Sequence, residues 1–148
     1  MDNWVVLGLL ASLGFGTYAV VAKVVTSQNY FGIPSNTAGL LMLVGVALVF
    51  GAYFLLGGKT EIPFDKPLPL ALGILTGVLY AGAMVAVFIA TSQGAEISKL
   101  APLYNTNTLV AVFLGIVLLK EAPDSAAGWL KVVGGAVLIT LGGIVLSL

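Results

Sequence analysis

The densest polar stretch in an otherwise apolar sequence is SKLAPLYNTNT, in which Tyr104, Asn105, Thr106, Asn107 and Thr108 follow one another. At helical spacing Tyr104, Asn107 and Thr108 share one face, and Asn105 shares a neighbouring face with Pro102. The chemistry on offer is hydrogen bonding through amides and hydroxyls. Two asparagine amides turned to lipid would be costly, so they must face protein or water. Two readings follow: hydrogen bonds to other helices, or a cavity wall that holds a solute. Pro102 bears on the choice. If its helix begins before Ser98, the proline removes a backbone bond and frees a carbonyl near the cavity, a device of discontinuous transporter helices. If the helix begins at Ser98 or later, the proline sits in the first turn and is tolerated.

Two further groups stand out, Thr17, Tyr18 and Lys23 near the start of the chain, and Thr76, Tyr80 and Met84 in its middle. Lys23 ends an apolar run, where it either snorkels to the interface or faces an anionic group. Tyr18 and Tyr80 lie deeper than an aromatic belt, whose positions Trp4 and Trp129 take, and read as cavity aromatics. No carboxylate falls within an apolar run: Glu96, Glu121 and Asp124 are at ends or in loops, and Asp2, Glu61 and Asp65 are farther out. A proton relay through an embedded acid therefore has no carrier. Histidine, cysteine and arginine are absent. That removes thiolate and imidazole catalysis and ordinary zinc, haem or iron–sulfur ligation, so no enzyme, cofactor or metal is expected. A net charge of zero without a basic cluster gives no footprint for nucleic acid.

The elements that must position these residues are membrane helices. Of 148 residues, 59% are apolar before 19 glycines are counted, and 8% are charged, against about 25% in soluble domains. The mean hydropathy of +1.12 agrees. Five apolar runs, at 4–25, 37–57, 68–91, 99–119 and 126–146, are each long enough to cross about 30 Å of hydrocarbon. The expected fold is an all-α membrane protein, one five-helix domain over 1–148. The N-terminal MDNW carries an acid and no signal-peptide charge pattern, so the first helix is expected to be retained. Pro67 and Pro69 can open the third helix, Ser98 can cap the fourth, and Asp124 or Ser125 the fifth.

Small residues recur at packing intervals: Gly8, Ser12 and Gly16; Gly73, Gly77 and Ala81; Gly82, Ala86 and Ala90; and Gly128, Gly135 and Gly142. Such stripes predict a tight bundle, within the chain or, for the last helix, against a second copy. Lys59, Lys66, Lys120 and Lys131 lie on the side of the N-terminus, with Lys23 and Lys99 opposite. This four-to-two bias favours a cytoplasmic N-terminus while leaving dual topology open.

From Leu68 onward, a glycine-rich span, the segment ATSQGAEISKLAPLYNTNTLVAVFLGIVLLKE and a span opening GWLKVVGGAVLITLGGIVL resemble the EamA-type domain of the drug/metabolite transporter superfamily. GFGTYAVVAK, ending at Lys23, is similar to the glycine-aromatic stretch of its first helix. The family often has a proline near the position of Asn107 and Thr108, and most relatives hold two such domains where this chain has one. The resemblance implies that helices one, three and four line a substrate cavity. That assigns substrate contacts to Thr17, Tyr18, Lys23, Thr76, Tyr80, Met84, Tyr104, Asn105, Asn107 and Thr108. Glu121 stands at the family's acidic position, as a cap or a gate. Because five is odd, two copies would form an inverted repeat, so the expectation is a homodimer, antiparallel in preference to parallel. The implied function is a multi-pass transporter subunit of the cell membrane, moving small organic solutes such as metabolites or amino acids by alternating access. The alternatives are a small multidrug exporter, against which stands the missing acid in helix one, and a non-transporting partner of a larger permease.

Overall fold

The computed structural model describes residues 3–57 and 64–148. They form helices α1 (Asn3–Thr26), α2 (Ser35–Gly57), α3 (Pro67–Ser92), α4 (Ile97–Tyr104), α5 (Asn107–Leu118) and α6 (Ala126–Ser147). Helices α4 and α5 together make one apolar span, Ile97–Leu118, so five spans are long and apolar enough to cross a membrane. The fold is all-α, as expected. Asp2, Lys59 and Glu61 lie outside the described residues, and with Lys59 goes one of the four lysines behind the orientation argument.

The helix starts follow local chemistry, with one correction. Pro67 opens α3, where its missing N–H costs nothing. Ser125 caps α6, its Oγ accepting from the Gly128 N–H at 3.1 Å. Ser98 does not cap the fourth span. That helix starts earlier, at Ile97, because the extended backbone of Glu96 lets its carbonyl accept from both Lys99 and Leu100.

The chain divides into two compact units. One comprises Val20–Gly94 and the other Ala95–Leu148 with the first part of α1, through Ala19. In the Val20–Gly94 unit the buried residues gather where the end of α1, the start of α2 and the end of α3 meet: Ala22, Thr26, Ser27, Ala38, Val87, Phe88 and Thr91. Lipid is as apolar as leucine, so close approach of small residues and interhelical hydrogen bonds hold such a knot together. Thr26 and Thr91 have no exposed surface, and their hydroxyl oxygens lie 2.7 Å apart. Each also lies near a carbonyl of its own helix, Thr26 near Ala22 O at 2.8 Å and Thr91 near Val87 O at 2.9 Å. With one proton apiece, one hydroxyl donates across the helices while the other donates along its own. Ser35, opening α2, is placed to donate to Ser92 Oγ at 3.0 Å and to Phe88 O at 3.2 Å, which pins the antiparallel α2–α3 pair opposite its connecting loop. The loop at 27–34 closes α1: the N–H groups of Phe31 and Ile33 donate to Val24 O and Val25 O. Gly32 allows that turn at φ +59°, where a side chain would be strained.

In the other unit, α6 packs along both α4 and α5. Its buried positions Ala136 and Gly143 are two turns apart, with half-buried Thr140 between them donating to Ala136 O at 2.9 Å. A Cβ on Gly143 would stand 2.6 Å from the Pro102 carbonyl oxygen, so only glycine lets the helices approach this closely. Within each unit, the expected glycine stripes are not the packing surfaces. Gly8, Gly16, Gly73, Gly77, Gly82, Gly135 and Gly142 have open space where a Cβ would stand, and Gly128 meets only Pro123 and Ser125 of its own turn. A small-residue stripe permits close approach but does not drive it, and here Ala22, Ala38, Ala136 and Gly143 take the contacts instead.

Candidate solute site at a broken membrane helix

The fourth span breaks at its most polar point. Pro102 lies inside α4, so the first of the two proline geometries holds: the helix has already begun, and the Ser98 carbonyl loses the donor that a non-proline residue would supply. The disturbance spreads one turn onward. The Thr106 N–H donates to Leu103 O at 3.2 Å rather than to Pro102 O, and Thr108 and Leu109 likewise donate three residues back, to Asn105 O and Thr106 O. Asn105 and Thr106 keep right-handed dihedrals, so the break is a tightened 3₁₀ turn and not a reversal. The Pro102 carbonyl, freed from its usual partner, lies against Gly143.

Around this turn the hydroxyls and the amides part company. Thr106 and Thr108 are half-buried and donate to Leu103 O at 2.8 Å and Asn105 O at 3.0 Å. Asn105 and Asn107 are exposed, and among the described residues neither side-chain amide is hydrogen-bonded within the chain. Tyr104 is half-buried beside them. Of the expected site residues in the same unit, Thr17 is exposed and Tyr18 is half-buried with its hydroxyl oxygen covered.

In the Val20–Gly94 unit, Lys23 and Met84 are half-buried, while Thr76 and Tyr80 are exposed. The Thr76 hydroxyl donates to Gly73 O at 2.7 Å. Thr76, Tyr80 and Met84 follow at four-residue steps on α3, and the same stripe runs on through Val87 to Thr91. The structure thus gathers Tyr104, Asn105, Asn107 and Thr108 around one turn and aligns Thr76, Tyr80 and Met84 on one helix face. The hydroxyl knot of Thr26, Ser35, Thr91 and Ser92 was not singled out from sequence. Its one signal is a hydroxyl residue at the end or start of each of the first three spans.

Glu121 is exposed and locks the end of α5. Its N–H donates to Gly115 O at 3.1 Å, and its carboxylate oxygen lies over Gly115, 3.3 Å from where a Cβ would stand. Lys120 makes this reversal possible by adopting φ +58°, which is unfavourable for a residue with a side chain. The ion pair Lys99–Glu96, at 3.7 Å, is on the surface and contributes little.

Residues 2–148 match the EamA-like transporter family. An uncharacterized protein of Methanocaldococcus jannaschii is 28% identical over 150 residues, an alignment that spans 100% of this chain and 98% of that protein. No solved structure matches the chain. With five apolar spans and a family match over nearly its whole length, the chain is a multi-pass membrane protein that belongs to the EamA-like transporter family, within the drug/metabolite transporter superfamily.

Proposed function

We propose that this chain is a transporter subunit that moves small organic solutes, metabolites or amino acids, by alternating access as a homodimer. The observation that carries the reading is the pair of unmet amides, Asn105 and Asn107, inside the fourth span. A polar group left unsatisfied in hydrocarbon costs several kcal/mol, on the order of 2–7. Such groups belong where water, a solute or a second chain meets them. Amides offer both donors and acceptors, which suits neutral and zwitterionic solutes, and no embedded acid is on hand to select protons or simple cations.

The homodimer follows from the odd number of spans. The Methanocaldococcus jannaschii relative is aligned over 98% of its length, so the two chains are of similar length. Two copies inserted in opposite senses reproduce the inverted symmetry on which alternating access rests, and so the antiparallel arrangement is preferred. The cell membrane is its place, with the N-terminus cytoplasmic in the lysine-favoured orientation.

Uptake of a radiolabelled panel of amino acids and metabolites into proteoliposomes containing only this protein tests the function. Accumulation of at least one solute, lost when Asn105 and Asn107 are both changed to Leu in a variant that still folds, is the expected result. No transport of any solute, or full transport by the double variant, refutes it. Single cysteines near Met1 and Leu148, labelled from either side of intact cells, test the dual insertion, and labelling of each from one side only defeats it.

A further inference from the structure

We propose that the hydroxyl knot of the Val20–Gly94 unit is a gate, a reversible latch that closes the membrane face carrying loop 27–34 by tying α1 to α3. The proposal rests on the transporter reading above and adds to it the place where one side is sealed. Thr26 and Thr91 are fully buried and bonded to each other across the two helices, and Ser35 ties α2 to Phe88 and Ser92 on the same last turn of α3. The buried residues of this unit are concentrated here, whereas α2 beyond Ala38 and α3 before Val87 are exposed or half-buried. The helices are therefore fastened at one end.

The chemistry of the fastening is that of a contact made to part. Each threonine hydroxyl has a second acceptor on its own helix, Ala22 O for Thr26 and Val87 O or Phe88 O for Thr91. Ser92 likewise reaches Ile89 O at 2.8 Å. When α1 and α3 separate, the proton that crossed between them turns back to its own backbone, and neither threonine is stranded without a partner. A buried ion pair or an asparagine bridge would leave an unmet group on opening. Flanking Ala22 and Ala38 are small, and the larger buried side chains of the knot, Val87 and Phe88, both belong to α3. The latch also terminates the α3 stripe of Thr76, Tyr80 and Met84, so opening it would give water a path along that face.

The chain has no cysteine, which makes two tests clean. In proteoliposomes, Ser27→Cys, normally buried beside the latch, is labelled with a membrane-impermeant maleimide. Adding Thr26→Val and Thr91→Val is expected to raise the labelling rate about threefold to fivefold, the effect of losing roughly one interhelical hydrogen bond. An unchanged rate overturns the gate whether or not any solute is carried. Second, Thr26→Cys/Thr91→Cys is oxidised to a disulfide and assayed for uptake of a radiolabelled amino-acid mixture. Uptake falling at least tenfold on oxidation and returning with reductant supports the gate, and undiminished uptake by the oxidised protein overturns it. If the reduced variant and the unsubstituted protein both fail to transport, the transporter reading fails, and the labelling result alone decides the gate.

Discussion

Thr26, Thr91, Ser35 and Ser92 at one end of the Val20–Gly94 unit, and Asn105 and Asn107 at the break in the fourth span, are comparable in polarity and opposite in what meets them. The hydroxyls are short, sit at helix ends and find acceptors on two helices at once, so one chain satisfies them. The amides are larger, carry two donors and two acceptor sites, and stand exposed at a turn whose own backbone is already rearranged by Pro102. Polarity inside a membrane span thus has two uses here. Where it is consumed internally it fastens helices, and where it is left open no group among the described residues meets it.

This contrast can be broken or sharpened by substitution, read as unfolding free energy in detergent micelles. The largest effect is expected from Gly143→Ala. Its methyl would meet the Pro102 carbonyl at 2.6 Å, and forcing α6 away from α4 should cost about 1–3 kcal/mol, in the range of overpacked cores. Stability equal to the parent would mean that the fourth-span region is loose and that its open amides reflect slack rather than design. Thr26→Val is expected to cost about 0.6–1 kcal/mol. Thr26→Val/Thr91→Val should cost less than the sum of the two single changes, since either change already removes the shared bond. A double-mutant cycle measures that coupling, and strict additivity would dissolve the knot.

Lys120→Gly relieves a left-handed backbone and should stabilise by a few tenths to about 1 kcal/mol. It serves as a control because it touches neither polar region. The smallest change is expected from Asn105→Leu or Asn107→Leu, within about 0.5 kcal/mol of the parent, because no hydrogen bond within the chain is lost. A loss of about 1 kcal/mol or more in the monomer would assign the amides to folding and erase the difference between the regions.

The spans were legible because about twenty apolar residues between turn-forming loops have few alternatives. The break was half legible. Pro102 and the run of amides and hydroxyls marked its place, but Ser98, a good capping residue, drew the expected start too late, while the backbone of Glu96 does the capping without its side chain. The glycine stripes do not serve packing within either unit, for a physical reason. Periodicity identifies a face on which close approach is permitted, and it is silent on whether a helix occupies that face. The knot was hidden because Thr26 and Thr91 are 65 residues apart and each, read locally, is merely the hydroxyl that ends a span. Pairing at such a distance is a property of the folded chain.

The lock at the end of α5 and the cap at the start of α6 have a consequence for how the chain turns back. The Glu121 N–H closes onto Gly115 O, and Ser125 Oγ takes the Gly128 N–H, so the facing ends of these two helices are served by their own turn. The turn between the fourth and fifth spans thus closes on its own hydrogen bonds, so the order of these two spans along the chain is also a fixed reversal of direction that the rest of the fold need not impose.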